Sequence, residues 1–145
     1  MPASPLAPDD IEIARLLGEV RTIALVGWSP KADRPSHGVA RYLKARGYRV
    51  IPVNPGQAGQ ESGLGEPVRG ALSDIVEPVD MVDIFRRSEE VLPVVEEALR
   101  ALPGLKVIWM QLGVANEEAA ALARARGVQV VMNRCPAIEI PRLGM

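Results

Sequence analysis

The chain is short of several things at once, and each shortage narrows what it can be. It holds one cysteine, Cys135, in 145 residues. A single thiol excludes an internal disulfide and a cysteine-rich metal site. The sole histidine, His37, has no second ligand at metal-ligand spacing, so no metal is expected. Aromatic residues are 3% of the chain, so the core must be built from Val, Leu, Ile and Ala. Lysine stands only at Lys31, Lys44 and Lys106, which leaves arginine to carry most of the positive charge. No apolar run is long enough to cross a bilayer. The start, MPASPLAPDD, lacks the basic and then apolar pattern of a secretory signal. A cytoplasmic protein is therefore expected. The formal net charge of -1 gives no global pull on a polyanion, and no basic stripe marks a nucleic-acid partner. Any anion site must be local.

What is present describes one globular domain. Hydrophobic residues make up 48% and charged residues 24%. That balance and the length suit a single core. Residues 1–8 are rich in Pro, Ala and Ser and read as a flexible lead-in, with the domain spanning 9–145. Asp9 and Glu12 have capping-box spacing before a short helix over 10–18. Five apolar segments read as strands: 22–28, 48–53, 79–85, 105–110 and 128–132. Helices are expected over 37–46 behind a Ser36 cap, over 88–102, and from the Asn116 cap to Arg126. A helical turn fits 72–75. Pro93 means that the third long helix either starts there or has a distorted first turn. Strands alternating with helices predict an α/β, doubly wound parallel sheet of about five strands with helices on both faces. The switch in strand order is expected between the first and fourth strands.

Ligands of such sheets bind outside the carboxyl ends of the strands. The first strand runs into Gly27, Trp28 and Ser29, and the next helix opens at Ser36 and His37. Glycine allows a tight turn and close approach, while free N–H groups and hydroxyls at a helix start hold phosphate oxygens. Lys31 and Arg34, in the loop between, can reach a terminal phosphate. The second strand ends in Asn54 and Pro55. It carries no acid for a ribose diol, and the first turn lacks three compact glycines, which disfavours NAD and FAD. No adjacent Gly-Lys-Ser/Thr supports ATP or GTP hydrolysis. Phe85 after the third strand can pack on a purine or cap the core. Arg86 can pair with phosphate, with Arg87 the weaker candidate. Gln111 after the fourth strand offers a donor and an acceptor, and Gly113 permits close backbone approach. Asp83 is a charge inside a strand, costly unless paired or near the mouth. Cys135 reads as a small buried thiol. Trp28 and Trp109 either wall a pocket or fill the rim of the core.

Three runs carry a family likeness: IALVGWSPKADRPSHGVARYLKARGYRVIPVNP, VDMVDIFRRSEEVLPVVEEAL and VIWMQLGVANEEAAALARARGVQVVMNRCP. In that order they resemble the small stand-alone CoA-binding proteins, which are similar to the N-terminal CoA-binding domain of the succinyl-CoA synthetase alpha subunit. The resemblance covers about residues 10–140. It implies a Rossmann-like domain that binds coenzyme A or an acyl-CoA in an extended pose. It brings Gly27, Trp28, Ser29 and Ser36 to the pyrophosphate, and Asn54 and Pro55 to the adenosine. Phe85 and Arg86 meet the nucleotide or its phosphates, and Gln111 lies towards the pantetheine arm. The synthetase-type domain also carries a lysine soon after its second strand, whereas residues 54–66 contain no Lys or Arg. The synthetase's second domain, with its phosphorylated histidine, has no counterpart in these residues, so ligase activity is not expected. Two other classes stand beside CoA binding: an acyl-CoA transferase or thioesterase, and a regulatory or interaction module with an unknown protein partner.

Overall fold

Alternation along each strand decides how the layers form. In the computed structural model, which describes residues 10–145, β1 spans Thr22–Val26. Its Ile23 and Leu25 enter one core while Ala24 and Val26 enter the other. Successive side chains of a strand point to opposite faces, so a strand apolar at every position must be covered twice. β2 (Arg49–Val53), β3 (Met81–Ile84), β4 (Val107–Met110) and β5 (Gln129–Val131) repeat this division.

The helices supply the two covers. α1 (Asp10–Glu19), α2 (Pro35–Ala45) and α5 (Pro136–Arg142) lie on one face, through Ile13, Leu17, Leu43 and Ile140. α3 (Val91–Ala101) and α4 (Glu117–Ala125) lie on the other, through Val95, Ala98, Ala120 and Ala123. The result is a three-layer, Rossmann-like α/β domain with all neighbouring strands parallel. The lead-in over 1–8 and the Asp9 cap fall outside the described residues.

The strand order is β2-β1-β3-β4-β5. The switch therefore lies between β1 and β3, not between the first and fourth strands. The chain between β2 and β3 contains no α-helix, only short 3-10 turns at Pro55–Gln57 and Leu72–Asp74. It brings the third strand directly beside the first. β2 becomes an edge, which explains how it tolerates Pro52.

Two local expectations also change. Pro35, not Ser36, begins α2, and Arg34 is the N-cap without a side-chain cap bond. Ser36 thus sits inside the first turn and is buried. Proline is preorganised for the first helical position and has no N–H to leave unpaired, so it takes the start. α5 is an element that the sequence pattern does not announce, because Pro141 interrupts its short run. Pro93 lies in the first turn of α3 behind a 3-10 lead-in at Ser88–Glu90, the distorted start rather than the proline start. Asn116 caps α4 as its sequence implies, accepting from the Ala119 N–H at 2.9 Å.

Candidate ligand-binding cleft

Parallel strands bring their carboxyl ends to one edge, at the usual place for a ligand. A cleft of about 820 Å³ opens there across the switch point. Gly27 makes that approach possible. Its φ is +89°, and a Cβ there would stand 2.2 Å from the Phe85 carbonyl oxygen. The turn is therefore pressed against the end of β3, and only glycine fits. The Gly27 and Trp28 N–H groups both donate to the Val53 carbonyl, at 3.0 and 3.3 Å. They are engaged within the protein rather than free.

Asn54 holds the same turn from the β2 side. Its Nδ2 donates to the Trp28 carbonyl at 2.6 Å, and its Oδ1 accepts from the Gly56 N–H at 2.9 Å. Beyond the turn the donors become available. The Ser29 hydroxyl accepts from the Lys31 N–H at 3.2 Å. The Ser36 N–H and hydroxyl have no partner among the described residues. Lys31 and Arg34 line this half of the cleft, and neither side chain has a carboxylate partner among the described residues. Four groups that favour an anion thus converge where α2 begins.

The opposite wall is differently charged. Arg86 and Arg87 line the cleft, but both donate to Glu90, and Arg87 also lies 3.7 Å from Glu89. Hydrogen bonds from Arg87 and Arg86 hold the Glu90 carboxyl below its usual range. Two guanidiniums and two carboxylates balance there. Gln111 lies on the cleft wall with its Oε1 buried and unpartnered, and the Trp28 indole N–H is likewise buried without an acceptor. Phe85 lines the cleft and also packs on the core.

Ten of the twelve expected site residues line this one cleft: Gly27, Trp28, Ser29, Lys31, Arg34, Ser36, Asn54, Phe85, Arg86 and Gln111. Two do not. Pro55 lies in an adjoining hollow of about 380 Å³, which shares Arg86 with the cleft. His37 turns its Nδ1–H back to the Ser29 carbonyl at 2.9 Å and leans on the Trp28 ring. Trp109 is wholly buried, its Nε1 donating to the Arg134 carbonyl at 2.7 Å, so it fills the core. Asp83 is fully buried on β3, away from the cleft, with neither carboxyl oxygen partnered. Desolvation pushes its pKa well above the ordinary value.

Leu112, Val114 and Ile138 line the far end of the cleft, and no sequence signal singles them out. Ile138 goes unannounced in the sequence because α5 does. The loops after β4 and β5 are joined to each other. The Gly113 N–H donates to Asn133 Oδ1 at 2.7 Å. Asn133 adopts a φ of 59°. Asparagine is among the residues that tolerate this left-handed geometry. Among the described residues, no helix is long and apolar enough to cross a membrane.

The domain has known relatives. The profile of a family described as a CoA binding domain matches residues 21–141. The Bacillus subtilis protein YneT, described as uncharacterized, is 38% identical over 128 residues, 88% of this chain and 91% of its own. A solved structure from Thermus thermophilus is 36% identical with a TM-score of 0.87, covering 94% of this chain and 99% of that one. A hypothetical protein from Pyrococcus horikoshii OT3 is 33% identical with a TM-score of 0.88, covering 100% of this chain and 99% of that one. Part of a larger protein is also similar, the dinucleotide-forming acetyl-coenzyme A synthetase 1 of Ca. Korarchaeum cryptofilum. There the TM-score is 0.65 at 27% identity, over 77% of this chain and 25% of that one.

Proposed function

The chain belongs to the CoA-binding domain family, and on that premise we propose that its cleft binds coenzyme A or an acyl-CoA. The observation that carries this reading is the set of unneutralised donors at the start of α2. The side chains of Lys31, Arg34 and Ser36 face one cleft and have no carboxylate partners among the described residues. A diphosphate supplies the charge and the acceptors that they lack. Gly27, Trp28 and Asn54 act one step back. Their hydrogen bonds to one another and to Val53 hold the turn that presents Ser29 and Lys31.

The adenosine end is assigned to the hollow beside Pro55, with Arg86 at its junction with the cleft. The pantetheine arm then runs past Phe85 to Gln111, whose unpartnered Oε1 suits an amide N–H of the arm. Binding is favoured over turnover because, among the described residues, the cleft pairs no nucleophile with a base. Cys135 is the thiol on its wall, and the Nδ1 of His37 is committed to the Ser29 carbonyl.

Isothermal calorimetry with coenzyme A, NAD and ATP tests this. Saturable binding of coenzyme A with much weaker heats for NAD and ATP is expected. Tight NAD binding without coenzyme A binding defeats the reading.

A further inference from the structure

The two ends of the cleft differ in kind. The α2 end carries Lys31, Arg34 and hydroxyls. The end built by the β4–α4 loop and α5 carries Leu112, Val114, Cys135 and Ile138. Leu112 is 59% exposed and Ile138 is 50% exposed, although both stand on this one concave wall. Single exposed apolar residues are ordinary, but two from separate elements in the same cleft make an apolar subsite. Val114 and Cys135, both buried, line the same cleft, so beside the Gln111 amide this end is mostly apolar.

Among the described residues, no unneutralised cation stands at that end. Arg134, next to Cys135 in the chain, donates to Glu139 at 3.0 Å. Arg142 is shared between Glu139 and Asp10, both at 2.7 Å. Arg86 and Arg87 are balanced by Glu89 and Glu90. A carboxylate delivered there loses water and gains no counter-charge. An alkyl chain loses water to its advantage.

We propose that this end receives the acyl group of an acyl-CoA and selects an uncharged aliphatic acyl over a carboxylated one. The inference rests on the coenzyme A reading above, with the phosphates at the α2 end. Leu112 and Ile138 flank the chain, and Cys135 and Val114 form its floor.

Calorimetry of the full chain with coenzyme A and with its acetyl, butanoyl, hexanoyl and succinyl thioesters is the test. Butanoyl and succinyl have equal carbon counts and differ in the terminal carboxylate. Hexanoyl-CoA is expected to bind about tenfold more tightly than acetyl-CoA, well short of the roughly two-hundredfold that complete burial of its added methylenes gives. Butanoyl-CoA is expected to exceed succinyl-CoA by about tenfold. Replacing Ile138 with serine (Ile138→Ser) should shrink the hexanoyl-to-acetyl ratio towards one, with a thermal melt to verify folding. Equal affinity for all five ligands overturns the acyl assignment and leaves the coenzyme A reading standing. Succinyl binding as tight as butanoyl overturns the charge selection. Failure of coenzyme A and every thioester to bind removes the reading beneath it, and this inference with it.

Discussion

A Cβ placed on Gly27 would meet the carbonyl oxygen of Phe85 at 2.2 Å, so the turn after β1 and the end of β3 occupy adjoining space with nothing between them. The contact lies at the switch in strand order, where the cleft opens. Two costs fall on any side chain there. One is a φ of +89°, and the other is an overlap with backbone, which has little freedom to move. Gly27→Ala is expected to lose about 2–4 kcal/mol of stability, from strain and overpacking together. A urea titration reads this directly. A midpoint equal to that of the parent would refute it.

Lys31 and Arg34 should behave differently from Arg87. All three line the cleft, but only Arg87 has carboxylate partners, in Glu89 and Glu90, among the described residues. Arg34→Ala and Lys31→Ala are each expected to weaken coenzyme A binding about tenfold, the scale of one charge-assisted hydrogen bond, with little change in melting temperature. Arg87→Ala should weaken it by less than about threefold, since exposed pairs of this kind contribute little. Calorimetry of the three variants ranks them. A larger loss at Arg87 would reverse the assignment of the phosphate end.

The hollow beside Pro55 makes a further forecast about the nucleotide. It carries Glu89, Glu90 and Glu97, and the one cation among its lining residues, Arg86, is held by Glu90. Among the described residues, a 3′-phosphate on the ribose finds no free positive partner there. Dephospho-coenzyme A is therefore expected to bind within about threefold of coenzyme A, because a solvated phosphate adds little affinity. Competition between the two ligands measures the ratio. A loss of about a hundredfold on removing that phosphate would mean that a cation is recruited to it.

Asp83 controls a pH dependence. Its carboxyl is buried between Leu25 on β1 and Trp109 on β4, unpartnered, with a pKa raised by desolvation well above 3.8. A carboxyl that holds its proton more tightly when folded stabilises the fold fully below its unfolded pKa. That contribution is lost as pH rises from about 3.8 towards the folded value. Asp83→Leu removes both the titration and the unsatisfied group. The variant should gain about 1–3 kcal/mol over the parent at neutral pH, with the gap narrowing in acid. Denaturant melts across pH test it. A gap that is constant with pH would exclude Asp83 as its source.

The strands and most helices were legible because their signals are local. TIALV is apolar at every position but the first, which already requires cover on both faces. Asn116 followed by acids announces a helix start. Ser36 misled because a hydroxyl before a helical pattern looks like a cap, while Pro35 one residue earlier had the stronger claim. α5 was hidden by brevity and by Pro141.

The sequence by itself determined the layered fold, the location of the cleft-forming turn and the family. Periodicity, turn chemistry and ordered motifs are all written in neighbouring residues. Tertiary structure decided the rest. Only the packed chain sets β3 beside β1, commits the Gly27 and Trp28 amides to Val53, and neutralises Arg86 with Glu90 while Lys31 and Arg34 keep their charges for the cleft. It alone carries Leu112 and Ile138 to the same wall, with the whole of α4 and β5 between them in the chain. Which charges cancel and which apolar groups meet depends on distance in space, and separation along the chain does not report that distance.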